Sequence, residues 1–330
     1  MKKKIAITII LLIFLSIFIM NSRVPFFQPT AGGWSIGYGF SNQFPKKIDP
    51  SKNPIFNIEK LKKIVDSTQF LADPFFIKEK DTFYIFFEHK KINKHPAEIG
   101  LLTSVDGIKF NYKGTVLREK FHLSYPQVFK YKGEYFMLPE TQGANNLLLY
   151  KAVNFPYQWK IADTLIKNIK LKDPTIFLSD SLNVIVGCNN EYQMKLYNAN
   201  SLNDDWKLNK NPIVIQGSES RPGGRFFPLN NGLILPVQNC TNGYGYGLSL
   251  YKFSFSKNEY SIKKITPLFL KKEIKCKEFN AGMHHFDMQK IDNRYFYVYD
   301  GNTIIDETKK LNYKRTIKLN FIDFKNWLYK

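Results

Sequence analysis

Five times along this chain the same pattern returns: an apolar strand, a polar turn and a second, almost continuously apolar strand. Residues 73–88 read DPFFIKEKDTFYIFFE, residues 125–140 YPQVFKYKGEYFMLPE, residues 173–188 DPTIFLSDSLNVIVGC and residues 285–300 HFDMQKIDNRYFYVYD. A looser copy, GGRFFPLNNGLILPVQ, occupies residues 223–238. The starts lie 52, 48, 50 and 62 residues apart. A period of about 50 in a chain of short β-branched and aromatic runs predicts propeller blades, each a four-stranded antiparallel sheet covered on both faces by its neighbours. Burial on both faces explains why residues 83–87 and 295–299 do not alternate apolar with polar. The expected fold is all-β, a five-bladed β-propeller. Residues 98–103 with 112–117, and 147–152 with 159–165, read as third and fourth strands of their blades. The last copy lacks a full set of outer strands, so residues 34–40 are expected to supply one and close the ring. Residues 57–66 are the one modest helical candidate, and no long amphipathic helix is expected.

At the N-terminus Lys2, Lys3 and Lys4 precede an apolar run over 5–20, broken only by Thr8 and Ser16. As a helix this run spans about 24 Å, short of the roughly 30 Å hydrocarbon core by a margin that snorkelling lysines can cover. A signal peptide has the same layout, but residues 18–23 offer no small-x-small cleavage site. Either reading exports the rest, because the basic flank stays inside. The expected organisation is a transmembrane or signal helix over 1–22, a linker over 23–33 and the propeller over 34–330. The soluble domain is expected to be membrane-anchored and extracytoplasmic, periplasmic or at the cell surface; the alternative is secretion after cleavage.

Lys and Arg outnumber Asp and Glu by 48 to 28, a net charge of +20. This favours an anionic partner, but no zinc-finger spacing, RNP-type aromatic motif or helix-turn-helix pattern accompanies it, so nucleic acid is not expected. Scattered lysines also blunt sheet edges. Cys188, Cys240 and Cys276 are odd in number and show no CxxC spacing, which implies neither a disulfide framework nor a zinc site.

The first residue of one hairpin strand and the last of the next lie at the same end. The repeat therefore sets two rings at one channel mouth: Asp73, Tyr125, Asp173, Gly223 and His285, then Glu88, Glu140, Cys188, Gln238 and Asp300. Carboxylates gathered in this way push their pKa values apart, as glycoside chemistry requires of its acid and its base or nucleophile. Asp73 is the expected base or nucleophile, Glu140 or Glu88 the acid, and Asp173 the orienting group. An Asp before Pro also simply starts a strand. Arg221 and Arg225 are candidates to clamp an anionic substrate group, or to neutralise the acids. His285 is placed in the channel by register, with His284 on the opposite face; His122, Tyr125 and Gln238 complete the candidate substrate-binding set. Trp34 and Tyr244 are candidate sugar-stacking rings. No metal ligand set and no cofactor motif is found.

Taken in order, Trp34-Ser35-Ile36-Gly37, Ala72-Asp73-Pro74-Phe75, Phe86-Phe87-Glu88, Phe121-His122-Leu123-Ser124-Tyr125-Pro126, Leu138-Pro139-Glu140-Thr141, Asp173-Pro174-Thr175-Ile176, Arg221-Pro222-Gly223-Gly224-Arg225 and His284-His285 carry a resemblance. Over about 34–300 the chain resembles the N-terminal propeller domain of plant glucosamine inositolphosphorylceramide transferases and their bacterial relatives. More distantly it is similar to five-bladed glycoside hydrolases of families 43 and 32. The plant proteins carry a separate glycosyltransferase domain after the propeller, so the resemblance does not bring transferase activity with it. In family 43 a blade-one Asp is the base, a blade-three Asp tunes the acid and a Glu of a later blade is the acid. Asp73 and Asp173 match the first two roles, while Gln238 stands in blade four and Glu140 in blade two. The expected function is glycosidic bond cleavage or transfer in cell-surface or envelope polysaccharide or glycolipid metabolism. The alternative is a non-catalytic carbohydrate-binding or assembly module beside a separate glycosyltransferase. The expected partners are a carbohydrate or glycolipid, anionic ones included, and the membrane.

Overall fold

A computed structural model describes residues 2–92, 95–210, 215–229, 232–256 and 259–328. Each sequence repeat forms the inner two strands of a four-stranded antiparallel sheet, and five such sheets make a five-bladed propeller. Blade 1 runs Thr68–Glu79, Thr82–Lys91, Glu98–Ser104 and Asn111–Leu117; blade 2 runs Ser124–Tyr131, Glu134–Glu140, Asn146–Asn154 and Gln158–Lys167. Blade 3 comprises Lys172–Leu178, Asn183–Cys188, Met194–Asn198 and Lys207–Leu208, and blade 4 Phe227–Leu229, Gly232–Asn239, Gly247–Ser256 and Glu259–Lys271. Blade 5 joins the two ends of the domain. Its inner strands Phe286–Ile291 and Arg294–Gly301 are completed by Ser35–Ser41, paired from Ser35 with Gly301 to Ser41 with Tyr295, and by Ile55–Phe56. The ring thus closes through the expected early segment.

Apolar side chains fill the space between blades, which is why the second strands are apolar throughout. Between blades 5 and 1, Phe76, Ile85, Phe87, Phe296 and Val298 are wholly buried in one cluster. Each such side chain contributes about 1.5–3 kcal/mol. Polar groups two residues past the repeat start add directional links. Gln127 of blade 2 accepts from Ile176 N–H (2.9 Å) and donates to Ile176 O (2.8 Å) in blade 3, and Asp287 of blade 5 accepts from Phe76 N–H (2.9 Å) in blade 1.

Among the described residues three α-helices lie outside the sheets. Helix α1, Lys2–Arg23, is long and apolar enough to cross a membrane and fits an anchor or a signal peptide alike. Helix α2, Ile58–Lys62, falls in the expected helical candidate and is capped by Asn57, whose Oδ1 accepts from Lys60 N–H. Helix α3, Tyr313–Leu328, departs from the sequence expectation of a propeller through 330 with no long amphipathic helix. Just before it, Ile304–Leu311 pairs with Phe27–Ala31, so part of the expected linker is a strand.

Gly224 marks where blade 4 presses hardest on blade 5. Its φ is +149°, and a Cβ there would sit 1.8 Å from the Phe286 carbonyl oxygen. Alanine would be wrong both in backbone and in space. Gly224→Ala is expected to lower the unfolding free energy by about 3 kcal/mol or more, measured by denaturant titration; a loss within about 0.5 kcal/mol, the scale of a neutral surface change, would contradict this packing.

Candidate functional site

The inner strands of blades 1, 2 and 3 share a distortion at the mouth. Asp73, Tyr125 and Asp173, each followed by Pro, have φ of 52°, 51° and 50°, and strand register shifts at each. Left-handed backbone in a non-glycine residue costs about 1–2 kcal/mol, and such strain persists where the surroundings over-determine it. The bulge turns the backbone N–H toward the preceding blade, where a carboxylate waits. Asp73 N–H donates to Asp300 Oδ2 (3.1 Å), and Asp173 N–H to Glu140 Oε2 (2.9 Å).

Two side-chain constellations grow from these links. In the first, Asp173 Oδ2 accepts from Arg221 Nε (2.5 Å) and Gln238 Nε2 (2.8 Å), and Gln238 also donates to Pro222 O. Gln142 Nε2 donates to the other oxygen of Glu140 (2.5 Å). In the second, His284 Nδ1 lies 2.8 Å from Asp300 Oδ2, its Nε2 is 3.0 Å from the Tyr244 hydroxyl, and its ring stacks on Trp34 at 4.0 Å. Asp300 Oδ1 also accepts from the backbone N–H groups of His284 and His285. Beside both, Glu88 pairs with His122 Nε2 at 3.0 Å.

Electrostatics separate the acids. Burial, then the charges of Glu88, Asp173 and Asp300, push the Asp73 carboxyl well above the usual carboxylate range. Its Oδ1 is buried without a hydrogen bond, 3.9 Å from His284 Nε2 and from His285 Nδ1. Burial and the charge of Asp173 raise Glu140 to about 7, against the opposing pull of Arg221. Burial also disfavours the charged Asp300, yet His284 outweighs it and holds that carboxyl below its ordinary value. His122 is raised: burial opposes its imidazolium, and the hydrogen bond and charge of Glu88 overcome it. His285, driven by burial to about 4, is neutral at pH 7.

The expected site residues thus divide. Asp73, Glu88, His122, Glu140, Asp173, Arg221, Gln238 and His284 meet at the mouth. Tyr125, His285 and Arg225 lie in the throat beneath. The Tyr125 hydroxyl accepts from Gly224 N–H (2.6 Å) and bonds Thr175 Oγ1 (2.7 Å), while His285 faces the edges of Phe75 and Tyr125. Arg225 holds Asp287 (2.8 Å) and donates to the carbonyls of Phe76 and Val128 (3.0 Å each), so one guanidinium ties blade 4 to blades 5, 1 and 2. The two histidines do not split between opposite faces: both precede the strand at Phe286, where the pleat has not begun, and both reach Asp73. Asp300, given no role from sequence, is the hub of the second constellation, and its place in the second repeat ring was the signal for it. Asp287 had a weaker one, its register with Gln127.

Asp73, His284 and Asp300 each offer one ligand atom within 4.8 Å of the others. Both Asp300 oxygens and His284 Nδ1 are already committed to one another or to backbone N–H groups, so this set is first a hydrogen-bond relay. Above it, Tyr244, half-exposed on a loop with positive φ at Gly243 and Gly245, stands over Arg221, its ring centroid 5.4 Å from the guanidinium. The cavity beside them measures about 80 Å³. Cys188, Cys240 and Cys276 are all free.

Residues 41–302 match the family described as glucosamine inositolphosphorylceramide transferase 1, N-terminal. The chain is 32% identical over 297 residues to glucosamine inositolphosphorylceramide transferase 1 of Arabidopsis thaliana, covering 82% of this chain and 39% of that protein. It is 31% identical over 304 residues to the protein of the same name from Oryza sativa subsp. japonica, covering 83% and 40%. It therefore spans about two fifths of the length of these curated relatives. Similar solved structures include a family 130 glycoside hydrolase directed at β-1,2 mannosidic linkages (TM-score 0.53, 12% identity, 72% of this chain and 82% of that one). Another is a family 32 β-fructofuranosidase of Bombyx mori (TM-score 0.52, 14% identity, 69% and 54%). At such identities the likeness shows the fold.

Glu140 gives the site a measurable signature. Its folded-state pKa of about 7 exceeds the ordinary 4.5, so its contribution to stability is full below pH 4.5 and is lost as pH rises through 7. Glu140→Gln, neutral throughout, is expected to shrink the fall in unfolding free energy between pH 5 and pH 8 by on the order of 1–3 kcal/mol. An unchanged pH profile would remove Glu140 from the set of groups titrating near neutrality.

Proposed function

Because the chain belongs to the family of the N-terminal domain of glucosamine inositolphosphorylceramide transferase 1, we propose that it is a membrane-anchored propeller that cleaves or transfers a glycosidic bond. Its substrate is a cell-surface or envelope polysaccharide or glycolipid, met outside the cytoplasm. One observation carries the reading: Glu140, poised at about 7, sits beside Asp173, whose charge is answered by Arg221 and Gln238. A proton donor adjoining a clamped carboxylate is the division of labour that glycoside chemistry uses. Glu140 is the acid, and Asp173 is the base or the group that steadies positive charge developing on the sugar ring. Asp73, the base expected from sequence, is least suited to carry charge, because burial and three neighbouring carboxyl groups favour its protonated form. It serves as a hydrogen-bond donor to a sugar hydroxyl. Arg221, His122 and His284 bind substrate, with Trp34 and Tyr244 as stacking surfaces. Glu88 holds His122 in place. Arg225, Tyr125 and His285 support the throat.

A specific observation favours a second reading, a non-catalytic glycan-binding or assembly module beside a separate glycosyltransferase. Asp73, Glu88, Glu140 and Asp173 are buried, and the cavity beside Arg221 and Tyr244, which none of them lines, is about 80 Å³, whereas small-molecule sites measure roughly 300–1,000 Å³. A sugar would have to move Tyr244 and Arg221 to reach the acids.

Purified full-length protein offered envelope polysaccharides and glycolipids separates the two. Under the enzymatic reading Glu140→Gln and Asp173→Asn retain binding and lose roughly 10²–10⁴-fold in turnover, followed by release of reducing sugar or transfer to an acceptor. Binding without turnover in wild type, with affinity unchanged in both variants, would establish the module and end the enzymatic reading.

A further inference from the structure

Helix α3 has two faces of different character. One face docks on the propeller and on the end of α1. Thr316 Oγ1 donates to Pro25 O (3.0 Å), Asn320 Nδ2 to Met20 O (3.2 Å), Arg23 pairs with Asp323 (3.2 Å), and Ser218 Oγ donates to Asp323 Oδ2 (2.9 Å). Leu319 is wholly buried on this face. The other face carries Tyr313, Ile317, Phe321, Phe324 and Leu328, spaced at four, four, three and four residues, which is one stripe of an α-helix. These side chains are 48–66% exposed, and Trp327 beside them is 69% exposed. Leu311 and its strand partner Phe27, both exposed, continue the patch. A stripe of this size is not left to water without a partner.

The occupant follows from where the stripe lies. The apolar run of α1 over 5–20 spans about 24 Å, which the snorkelling lysines before it extend toward a hydrocarbon core of about 30 Å. The apolar run ends at Met20, and α3 is bound to the chain between Met20 and Pro25. Its middle therefore sits at the level where α1 leaves the hydrocarbon, with Trp327 suited to the headgroup layer. Lys314 and Lys325 flank the stripe, and Lys263 and Lys325 add charge to a cleft of about 860 Å³ between α3 and blade 4, where Arg23 and Lys264 pair with Asp323 and Glu219. Apolar stripe and basic flank together describe an interfacial helix on an anionic bilayer.

From this we infer that α3 is a second membrane contact, lying in the interface of an anionic lipid bilayer and fixing the orientation of the propeller. The inference rests on reading α1 as a membrane anchor. It has a consequence for the site: Arg315 and Leu319 of α3 line the same small cavity as Arg221 and Tyr244, so the channel mouth is held beside the lipid headgroups.

The test uses the full chain reconstituted in phosphatidylcholine vesicles containing phosphatidylglycerol, with a nitroxide at one introduced cysteine; the three native cysteines are buried. Labels at Phe321→Cys and, should that variant misfold, Trp327→Cys report α3; Ile10→Cys reports α1, and Val105→Cys, 78% exposed in blade 1, reports water. Expected is a ratio of oxygen to nickel-chelate accessibility on α3 severalfold above that at Val105, falling when phosphatidylglycerol is omitted. Water-like accessibility on α3 with a lipid-like label at Ile10 overturns the inference and leaves the anchor standing. A water-like label at Ile10 removes the anchor itself. Shielding of α3 from both reagents, with broadening between labels, assigns the stripe to a second copy or another protein and likewise overturns it.

Discussion

The structure depends on a carboxylate of one blade accepting the backbone N–H of a strained residue in the next. Asp300 takes the N–H of Asp73, and Glu140 that of Asp173. A hydrogen bond from a backbone donor to a carboxylate is shorter and stronger than one to a neutral acceptor, so it can hold a left-handed Asp against its preference. The bulge in turn directs the Asp side chain to the mouth. Fold and candidate site therefore share groups: Glu140 and Asp300, acids gathered at the mouth, also fasten one blade to the next.

That sharing explains which parts were legible in sequence. Repeats 73–88 and 173–188 announce blades because burial on both faces leaves no choice but apolar strands, and closure by 34–40 follows because blade 5 lacks outer strands. The acids of the mouth are legible for the same reason, since polar residues at repeat positions otherwise apolar stand out. The division of the arginines is not. Arg221 and Arg225 occupy near-identical contexts around Gly223 and Gly224, and only geometry sends one to Asp173 at the rim and the other to Asp287 in the throat. Helix α3 was hidden because its aromatic and β-branched residues also suit strands. Its period becomes evident only when Thr316, Leu319, Asn320 and Asp323 are seen as a second, docked face.

The mouth also distributes charge so that buried acids survive together. Asp173 has Arg221, Asp287 has Arg225, Asp300 has His284 and three backbone donors, and Glu88 has His122. Breaking a buried pair strands an uncompensated charge, at a cost of about 3–5 kcal/mol. Glu140 and Asp73 differ: burial and neighbouring carboxylates raise both, and Asp73, whose Oδ1 is buried without a hydrogen bond, is held well above the usual carboxylate range.

The unpaired oxygen gives Tyr244 a role beyond covering the mouth. Tyr244 bonds His284 Nε2, and that nitrogen lies 3.9 Å from Asp73 Oδ1. The Tyr244 hydroxyl thus occupies the one ring nitrogen of His284 not held by Asp300. With Asp300 behind it, the imidazole is oriented as the histidine of an acid–histidine pair, its Nε2 turned toward Tyr244 and Asp73.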